Sequence, residues 1–169
     1  MNNGALQWYA LHVKSKHEFA TNSELLRKGV ETYLPAVKRL RQWKDRKKLV
    51  EFPLFPGYIF VHIRSDQEDF CRILKTRGVV TLLSSEPGFP TAVPTEEINS
   101  LRLIVGSGNE LDIYPHLKKG TRVRVKRGLL AGAEGTLVEK EERFMLLINI
   151  ELLGRSVGVK VYADDVEAV

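Results

Sequence analysis

Residues 8–30 read WYALHVKSKHEFATNSELLRKGV and set the pattern for the first half of the chain. The first six residues alternate between two faces, as a β-strand does. One face carries Tyr9, Leu11 and Val13, and the other carries Trp8, Ala10 and His12. Ser15 and Glu18 then have the spacing of a capping box, which marks a helix start. Because Phe19, Leu26 and Val30 recur at helical spacing and Gly29 fits a helix end, we predict a helix with these three side chains on its apolar face.

The following residues continue this alternation of strands and helices. Strands are predicted at residues 32–37, 49–54, 58–63 and 79–83. A second capping box, Ser65 with Glu68, opens a helix through Leu74. Thr95 is predicted to cap a last helix. The order strand, helix, strands, helix, strand is that of a ferredoxin-like split βαβ domain.

The character of the sequence changes near residue 105. Residues 106–116, GSGNELDIYPH, resemble a flexible linker. Closely spaced strands with glycine at the turns are then predicted at residues 121–126, 135–139, 144–150 and 157–162. We therefore expect an α+β protein, in which residues 1–105 form the split βαβ domain and residues 117–169 form a small SH3-like β-barrel.

Composition is that of an ordinary globular protein. Of 169 residues, 43% are hydrophobic and 28% are charged, which excludes a disordered tail. No apolar run approaches the ~18 residues that a membrane helix needs, and the N-terminus does not resemble a secretion signal. The lone Cys71 excludes an intrachain disulfide and a multi-cysteine zinc site. We expect a cytoplasmic monomer that does not contact membranes.

Positive charge is concentrated in one window. Residues 38–48 read KRLRQWKDRKK, with seven basic residues and one acidic residue, whereas the whole chain carries a net charge of +5. Lysine and arginine contact phosphates, and an indole stacks on an unpaired base, so Arg41, Trp43 and Lys44 are candidates for nucleic-acid binding together with Arg46 and Lys47. The alternative is a charged hairpin that is merely solvated.

No catalytic or metal-binding motif emerges from the remaining polar residues. No two of the four histidines have the i, i+4 spacing of a metalloprotease helix. They are His12, His17, His62 and His116. Gly128, Gly132 and Gly135 do not match a phosphate-binding loop, and turns of a barrel explain them better. We predict no enzymatic activity, no metal and no cofactor.

An aromatic turn is the other candidate for a binding site. Residues 52–61 read FPLFPGYIFV, in which Phe55 and Tyr58 flank a Pro-Gly bend. Side chains at such a bend often face solvent, and exposed aromatic residues anchor protein partners. The alternative is that the whole segment is a core strand.

Four blocks of the sequence together resemble the NusG family of transcription elongation factors. They are WYALHVK at residues 8–14, FPGYIFV at 55–61, TRGV at 76–79 and VRVKRGLLAGAEGTLV at 123–138. The last block is similar to the KOW motif of that family. The resemblance implies an N-terminal domain, called NGN, followed by a KOW barrel.

The resemblance implies that the NGN domain binds RNA polymerase at the clamp helices and reduces pausing or termination. The residues that match the polymerase-binding positions are Trp8, Tyr9, Phe55, Pro56 and Tyr58. The basic window is similar to that of specialised RfaH/UpxY-type antiterminators, which act on selected operons. Lys14, Lys16, His17, Thr76 and Arg77 match or neighbour positions at which such proteins touch the non-template DNA strand. Nascent RNA is the other nucleic-acid partner that we consider.

The KOW barrel of the family recruits a ribosomal protein or the termination factor Rho. The matching positions are Leu153, Gly154 and Arg155 in the segment IELLGR. Two alternatives to a specialised antiterminator remain. One is a general NusG-type factor that couples transcription to translation or to Rho, and the other is a free-standing KOW protein that binds RNA.

Overall fold

The computed structural model describes residues 4–115, 120–140 and 142–169. The chain divides into two compact units, residues 1–92 and 93–169. Within the described residues, no helix is both long and apolar enough to cross a membrane.

The first unit is a mixed sheet domain with two helices. Its elements are β1 (Leu6–Val13), α1 (Glu18–Arg27), β2 (Glu31–Tyr33), β3 (Ala36–Trp43), β4 (Arg46–Pro53), β5 (Tyr58–Arg64), α2 (Gln67–Leu74), β6 (Val79–Leu82) and β7 (Ala92–Val93). The main sheet has the order β2-β5-β1-β6, and β7 also pairs with β1. Strands β3 and β4 pair only with each other and form a separate hairpin.

The predicted alternation of β1 is confirmed. The face formed by Tyr9, Leu11 and Val13 lies in the main core of this unit, together with Leu25 of α1 and Phe70 of α2. The opposite face is also largely covered, because Trp8 is 4% exposed and Ala10 is fully buried. Strand β1 is therefore a central strand that is buried on both faces.

The predicted start and face of the first helix are wrong. Helix α1 begins at Glu18 with His17 at its N-cap, so Ser15 does not cap it. Phe19 and Leu26 are 40% and 54% exposed, whereas Leu25 is fully buried. Leu25 and Leu26 are adjacent, so either one could lie on the buried face of the helix. In the structure, the face that contains Leu25 packs against the sheet.

The second capping box is displaced by one residue. The N-cap of α2 is Asp66, whose side chain accepts a hydrogen bond of 2.8 Å from the backbone of Asp69. The Asp69 carboxylate in turn accepts one of 3.0 Å from the backbone of Arg64. Asp66 therefore caps the helix in place of Ser65, while the Asp69 carboxylate reaches back to Arg64, two residues before the N-cap.

The second unit is a barrel-like antiparallel sheet with one helix. Its elements are α3 (Thr95–Gly106), β8 (Leu111–Pro115), β9 (Thr121–Val125), β10 (Glu134–Lys140), β11 (Arg143–Ile150), a 3-10 turn (Glu151–Leu153), β12 (Arg155–Val161), a second 3-10 turn (Ala163–Asp165) and β13 (Val166–Ala168). The strand order is β13-β9-β10-β11-β12-β8. The four predicted barrel strands correspond to β9 to β12.

Two boundaries of the predicted domains differ from the structure. Residues 111–115 of the predicted linker form β8, which pairs with β12, while residue 116 lies outside the described residues. Helix α3 begins after Pro94 without a side-chain cap from Thr95, and it belongs to the second unit. The Ser100 hydroxyl of α3 accepts a hydrogen bond of 3.1 Å from the backbone of Glu134 in β10. Helix α3 thus packs on the barrel sheet.

Candidate nucleic-acid interface

The basic window forms most of the β3–β4 hairpin. Eight cross-strand pairs run from Ala36 with Pro53 to Trp43 with Arg46, and the two-residue turn is Lys44-Asp45. Every residue from 38 to 49 is exposed. The hairpin therefore presents two open faces, and the pairing register decides which side chains share each one.

One face of the hairpin is cationic. Because directly paired residues project to the same side of a two-stranded sheet, this face carries Arg39, Arg41, Trp43, Arg46 and Lys48 in its exposed part. We call it the cationic face. Within residues 36–53, all of which the structure describes, it carries no carboxylate.

The opposite face has a different character. It carries the directly paired Leu40 and Leu49, which are 69% and 55% exposed. Around them lie Lys38, Gln42, Lys47 and Glu51, and we call this surface the leucine face. Lys47, predicted to bind nucleic acid with Arg41 and Trp43, therefore lies on the other side of the hairpin. Arg39 and Lys48 take its place on the cationic face, and only the strand register identifies them.

The tip of the cationic face combines an indole with a guanidinium group. Trp43 is 53% exposed, and the guanidinium carbon of Arg41 lies 5.6 Å from the centre of its ring system. A cation over the ring and a half-exposed indole are the parts of a stacking platform for a base.

The hairpin cations are free of ion pairs. Among the described residues, no carboxylate forms a salt bridge with any cation of the hairpin. On the barrel, by contrast, Arg124 donates to Glu134 at 2.8 Å and Arg127 donates to Asp165 at 2.5 Å. The hydrogen bond from Arg124 lowers the pKa of Glu134. Charge is therefore more available for phosphate on the hairpin than at these barrel positions.

A second group of predicted residues comes together in two adjoining loops. The backbone of Lys14 donates to the carbonyl of Gly78 at 2.8 Å, and the Thr21 hydroxyl donates to the carbonyl of Arg77 at 3.1 Å. These bonds hold residues 14–17 against residues 76–78. The side chains of Lys14, Lys16 and Arg77 are exposed, so three cations share this surface.

Two of the residues predicted in these loops are less accessible. Thr76 is 3% exposed, and its hydroxyl donates to the carbonyl of Arg72 at 3.1 Å and accepts from the ammonium of Lys28 at 2.9 Å. The buried position of Thr76 indicates a structural role rather than direct contact with a strand of nucleic acid. His17 is half-buried, with Nδ1 2.9 Å from the carbonyl of Ser15. Lys28, which the sequence reasoning missed, adds an exposed side chain beside these loops.

Both loops and the hairpin leave the main sheet at the same end. His12 near the end of β1 pairs with Tyr58 at the start of β5, and Val13 pairs with Val79 at the start of β6. The hairpin is inserted between β2 and β5, and β2 ends opposite Phe60. One end of the sheet therefore gathers the predicted nucleic-acid residues, with the hairpin extending from it.

Most of the aromatic residues predicted to contact polymerase are buried. Trp8, Tyr9 and Phe55 are 4%, 2% and 1% exposed, so the expectation that Phe55 faces solvent is wrong. The turn closes through a hydrogen bond of 3.1 Å from the backbone of Tyr58 to Phe55, and the Phe55 ring meets Phe60 edge-on. Pro56 is exposed and Tyr58 is half-buried, its ring 5.5 Å from that of His12.

The predicted partner site of the barrel lies at a tight turn. Gly154 follows the 3-10 turn with φ of +61°, and its backbone donates to Glu151 at 3.0 Å. Leu153 and Arg155 are half-buried on either side of it. Among the described residues, no cluster of three or more histidine, cysteine or carboxylate side chains could hold a metal ion.

The fold and this surface define an α+β protein that combines a sheet domain bearing a cationic hairpin with a small β-barrel. The sequence model of the family described as "Transcription termination factor nusG" matches residues 6–102. Because this match spans more than half of the chain, the chain belongs to the NusG family. The predicted fold class, an NGN domain followed by a β-rich KOW domain, is confirmed.

Individual relatives cover nearly the whole chain. Two proteins named "Transcription termination/antitermination protein NusG", from Staphylococcus aureus strains Mu50 and N315, are each 29% identical over 177 residues, covering 97% of this chain and 96% of theirs. A solved structure, "Domain interaction in Thermotoga maritima NusG", is 22% identical with a TM-score of 0.50 and covers 98% of each chain. The family model and the two Staphylococcus aureus relatives are all named for transcription termination or antitermination.

Proposed function

We propose that this chain is a transcription elongation and antitermination factor that acts by binding RNA polymerase and nucleic acid. Membership in the NusG family is the observation that carries the proposal. The name shared by its near-full-length relatives, which covers both termination and antitermination, supports the same class of function.

We place the polymerase contact of the first unit at the clamp helices. Of the five matching positions, Pro56 and Tyr58 are the accessible ones. Trp8, Tyr9 and Phe55 are buried, so their part in this contact is to shape the surface from below. A partly accessible aromatic ring beside a rigid turn, as Tyr58 is, is the kind of anchor that carries much of the free energy of an interface.

Action on selected operons is the more specific form of this proposal. A cationic hairpin free of ion pairs supports it, because recruitment to one operon requires contact with nucleic acid near the polymerase. Contacts to phosphates would position the protein, and contacts to bases would give it sequence preference. The Leu153–Arg155 turn of the barrel is then the site for a ribosomal protein or Rho.

A general NusG-type factor is the second candidate function. It is favoured by the 29% identity that extends over both units to two NusG proteins. Transcript profiling of a deletion strain separates the two candidates. Effects confined to a few operons support the specialist, whereas changes across most transcripts support the general factor.

Binding to bacterial core RNA polymerase tests the proposal directly. The labelled full chain should bind the polymerase and should be displaced by a housekeeping NusG protein. Tyr58→Ala should weaken binding about tenfold or more, while Phe144→Ala on the second unit serves as a control. A chain that folds correctly but binds neither free polymerase nor a paused complex contradicts the proposal.

A further inference from the structure

We infer that the cationic face of the hairpin binds a single strand of nucleic acid, with an unpaired base stacked on Trp43, while the leucine face stays away from it. This inference rests on the proposed function and assigns one part of it to particular side chains. The two faces belong to the same hairpin, and residues 38–49 are exposed on both of them, so the two faces differ in their chemistry.

Positive charge is distributed unequally between the two faces of the hairpin. Arg39, Arg41, Arg46 and Lys48 lie on the cationic face without a carboxylate among them, within residues that the structure fully describes. The leucine face offers only Lys38 and Lys47, with Glu51 directly paired to Lys38. Electrostatic attraction to a phosphate backbone is therefore concentrated on one side.

The spacing of the two strands sets how the four cations are arranged on the cationic face. Residues two apart on a strand are separated by roughly 7 Å, and the two strands lie ~5 Å apart. The four cations thus form a narrow band along the hairpin rather than a broad patch. Arginine is suited to such a site, because its planar guanidinium group donates two hydrogen bonds to one phosphate.

The exposed ring of Trp43 favours single-stranded nucleic acid over a duplex as the ligand of the cationic face. Its ring is 53% exposed at the hairpin tip, next to the guanidinium of Arg41. Stacking on an indole requires a base whose face is free, which a paired base inside a duplex does not offer. A two-stranded ribbon also fits the major groove of duplex DNA, and that mode does not need the ring.

Fluorescence anisotropy with the full chain tests the inference. The probes are an oligothymidine, an oligouridine and a DNA duplex of equal length. Both single strands should bind more tightly than the duplex. A preference for oligothymidine identifies the displaced DNA strand as the source, and a preference for oligouridine identifies nascent RNA.

A matched pair of double variants separates the faces. Arg41→Gln with Arg46→Gln should weaken single-strand binding about tenfold and reduce the slope of log K against log salt by about 1.4, the value for two phosphates. Lys38→Gln with Lys47→Gln removes the same charge from the leucine face and should change affinity less than about twofold. Equal losses from the two double variants would overturn the inference.

A second pair of variants tests the stacking. Trp43→Ala should weaken binding about fivefold or more, and Leu40→Ala should leave it unchanged. Of the two tryptophans, Trp8 is buried, so quenching of fluorescence on binding should disappear in Trp43→Phe. Tighter binding to the duplex, or quenching that survives this substitution, contradicts the inference.

The polymerase measurement keeps the two proposals distinguishable. A chain that binds core polymerase but none of the three probes overturns the assignment of the cationic face and leaves the proposed function standing. A chain that binds neither polymerase nor nucleic acid overturns both. Far-ultraviolet circular dichroism of each variant establishes that a loss of binding does not come from unfolding.

Discussion

The indole of Trp8 stacks on the imidazole of His62, with ring centroids 4.7 Å apart and planes 16° apart. The two residues are directly paired across β1 and β5, and Nδ1 of His62 lies 2.7 Å from a carboxylate oxygen of Glu31. The contact covers Trp8 on the face of β1 opposite to the main core. An aromatic residue that the family resemblance places at the polymerase surface thus supports the sheet from within.

Phe55 is likewise a buried aromatic residue, so its truncation should destabilise the first unit. It is 1% exposed and packs edge-on against Phe60. We expect Phe55→Ala to lower the free energy of unfolding by about 3–5 kcal/mol, measured by urea denaturation. Polymerase binding would then be lost because the domain unfolds.

Phe19→Ala is the matched control for this experiment. The sequence pattern placed Phe19 on the apolar face of the predicted helix, but the side chain is 40% exposed. Its truncation should therefore lower the free energy of unfolding by only about 1 kcal/mol or less. Equal losses from the two variants would show that Phe55 is not a core residue.

The sequence predicted the elements more reliably than it predicted exposure. Alternation in residues 8–13 identified β1 because a period of two has one structural meaning. The turn at Phe55 was misjudged because exposure there depends on distant partners, such as the hydrogen bond of 2.8 Å from the backbone of Leu54 to Pro35. Strand β8 was predicted as a linker for the same reason, since its partner β12 lies far along the chain.

The candidate site was predicted in composition but not in arrangement. The charge of residues 38–48 is visible in the sequence, but their division into two faces depends on where the hairpin turns. Lys44-Asp45 is not among the strong two-residue turn signals, so the register could not be deduced. The register excluded Lys47 from the cationic face and added Arg39 and Lys48.

The N-cap of α2 provides a test on a smaller scale. Asp66 accepts a hydrogen bond from the backbone of Asp69, so Asp66→Ala should lower the free energy of unfolding by about 1 kcal/mol. Asp66→Asn should retain most of the stability, because asparagine caps helices about as well. Urea denaturation measures both, and a loss of the same size in Asp66→Asn would contradict a capping role.

Gly78 should be intolerant of a side chain. Its φ is +90°, and an added Cβ would lie 2.2 Å from the Thr21 hydroxyl, which bonds to the carbonyl of Arg77. Gly78→Ala should therefore both destabilise the first unit and weaken nucleic-acid binding by displacing residues 14–17. Gly88→Ala is the control, because its φ is +106° but an added Cβ meets nothing within 4 Å.

The two glycine variants separate backbone strain from steric clash. Both substitutions carry the strain of a positive φ, typically of order 1 kcal/mol, whereas only Gly78→Ala adds the clash. Thermal unfolding should show a larger decrease in melting temperature for Gly78→Ala. If the two decreases are equal, the contact with Thr21 does not hold the two loops together.

Glu97 on α3 should make the stability of the second unit depend on pH. Burial raises the pKa of its carboxyl group to about 7, and the nearby charges of Glu151 and Glu96 act in the same direction. The folded form then binds a proton more tightly than the unfolded form, so stability is greatest at low pH and falls as pH rises through about 7.

The substitution Glu97→Gln should remove this dependence. The amide stays neutral at all these pH values, so the variant should be more stable than the parent chain above pH 7 and should lose less stability between about pH 5 and about pH 8. Urea unfolding followed by NMR signals of the second unit measures the difference, with exposed Glu139→Gln in β10 as the control. An unchanged pH slope in Glu97→Gln would show that this carboxyl group is ionised in the folded protein throughout that range.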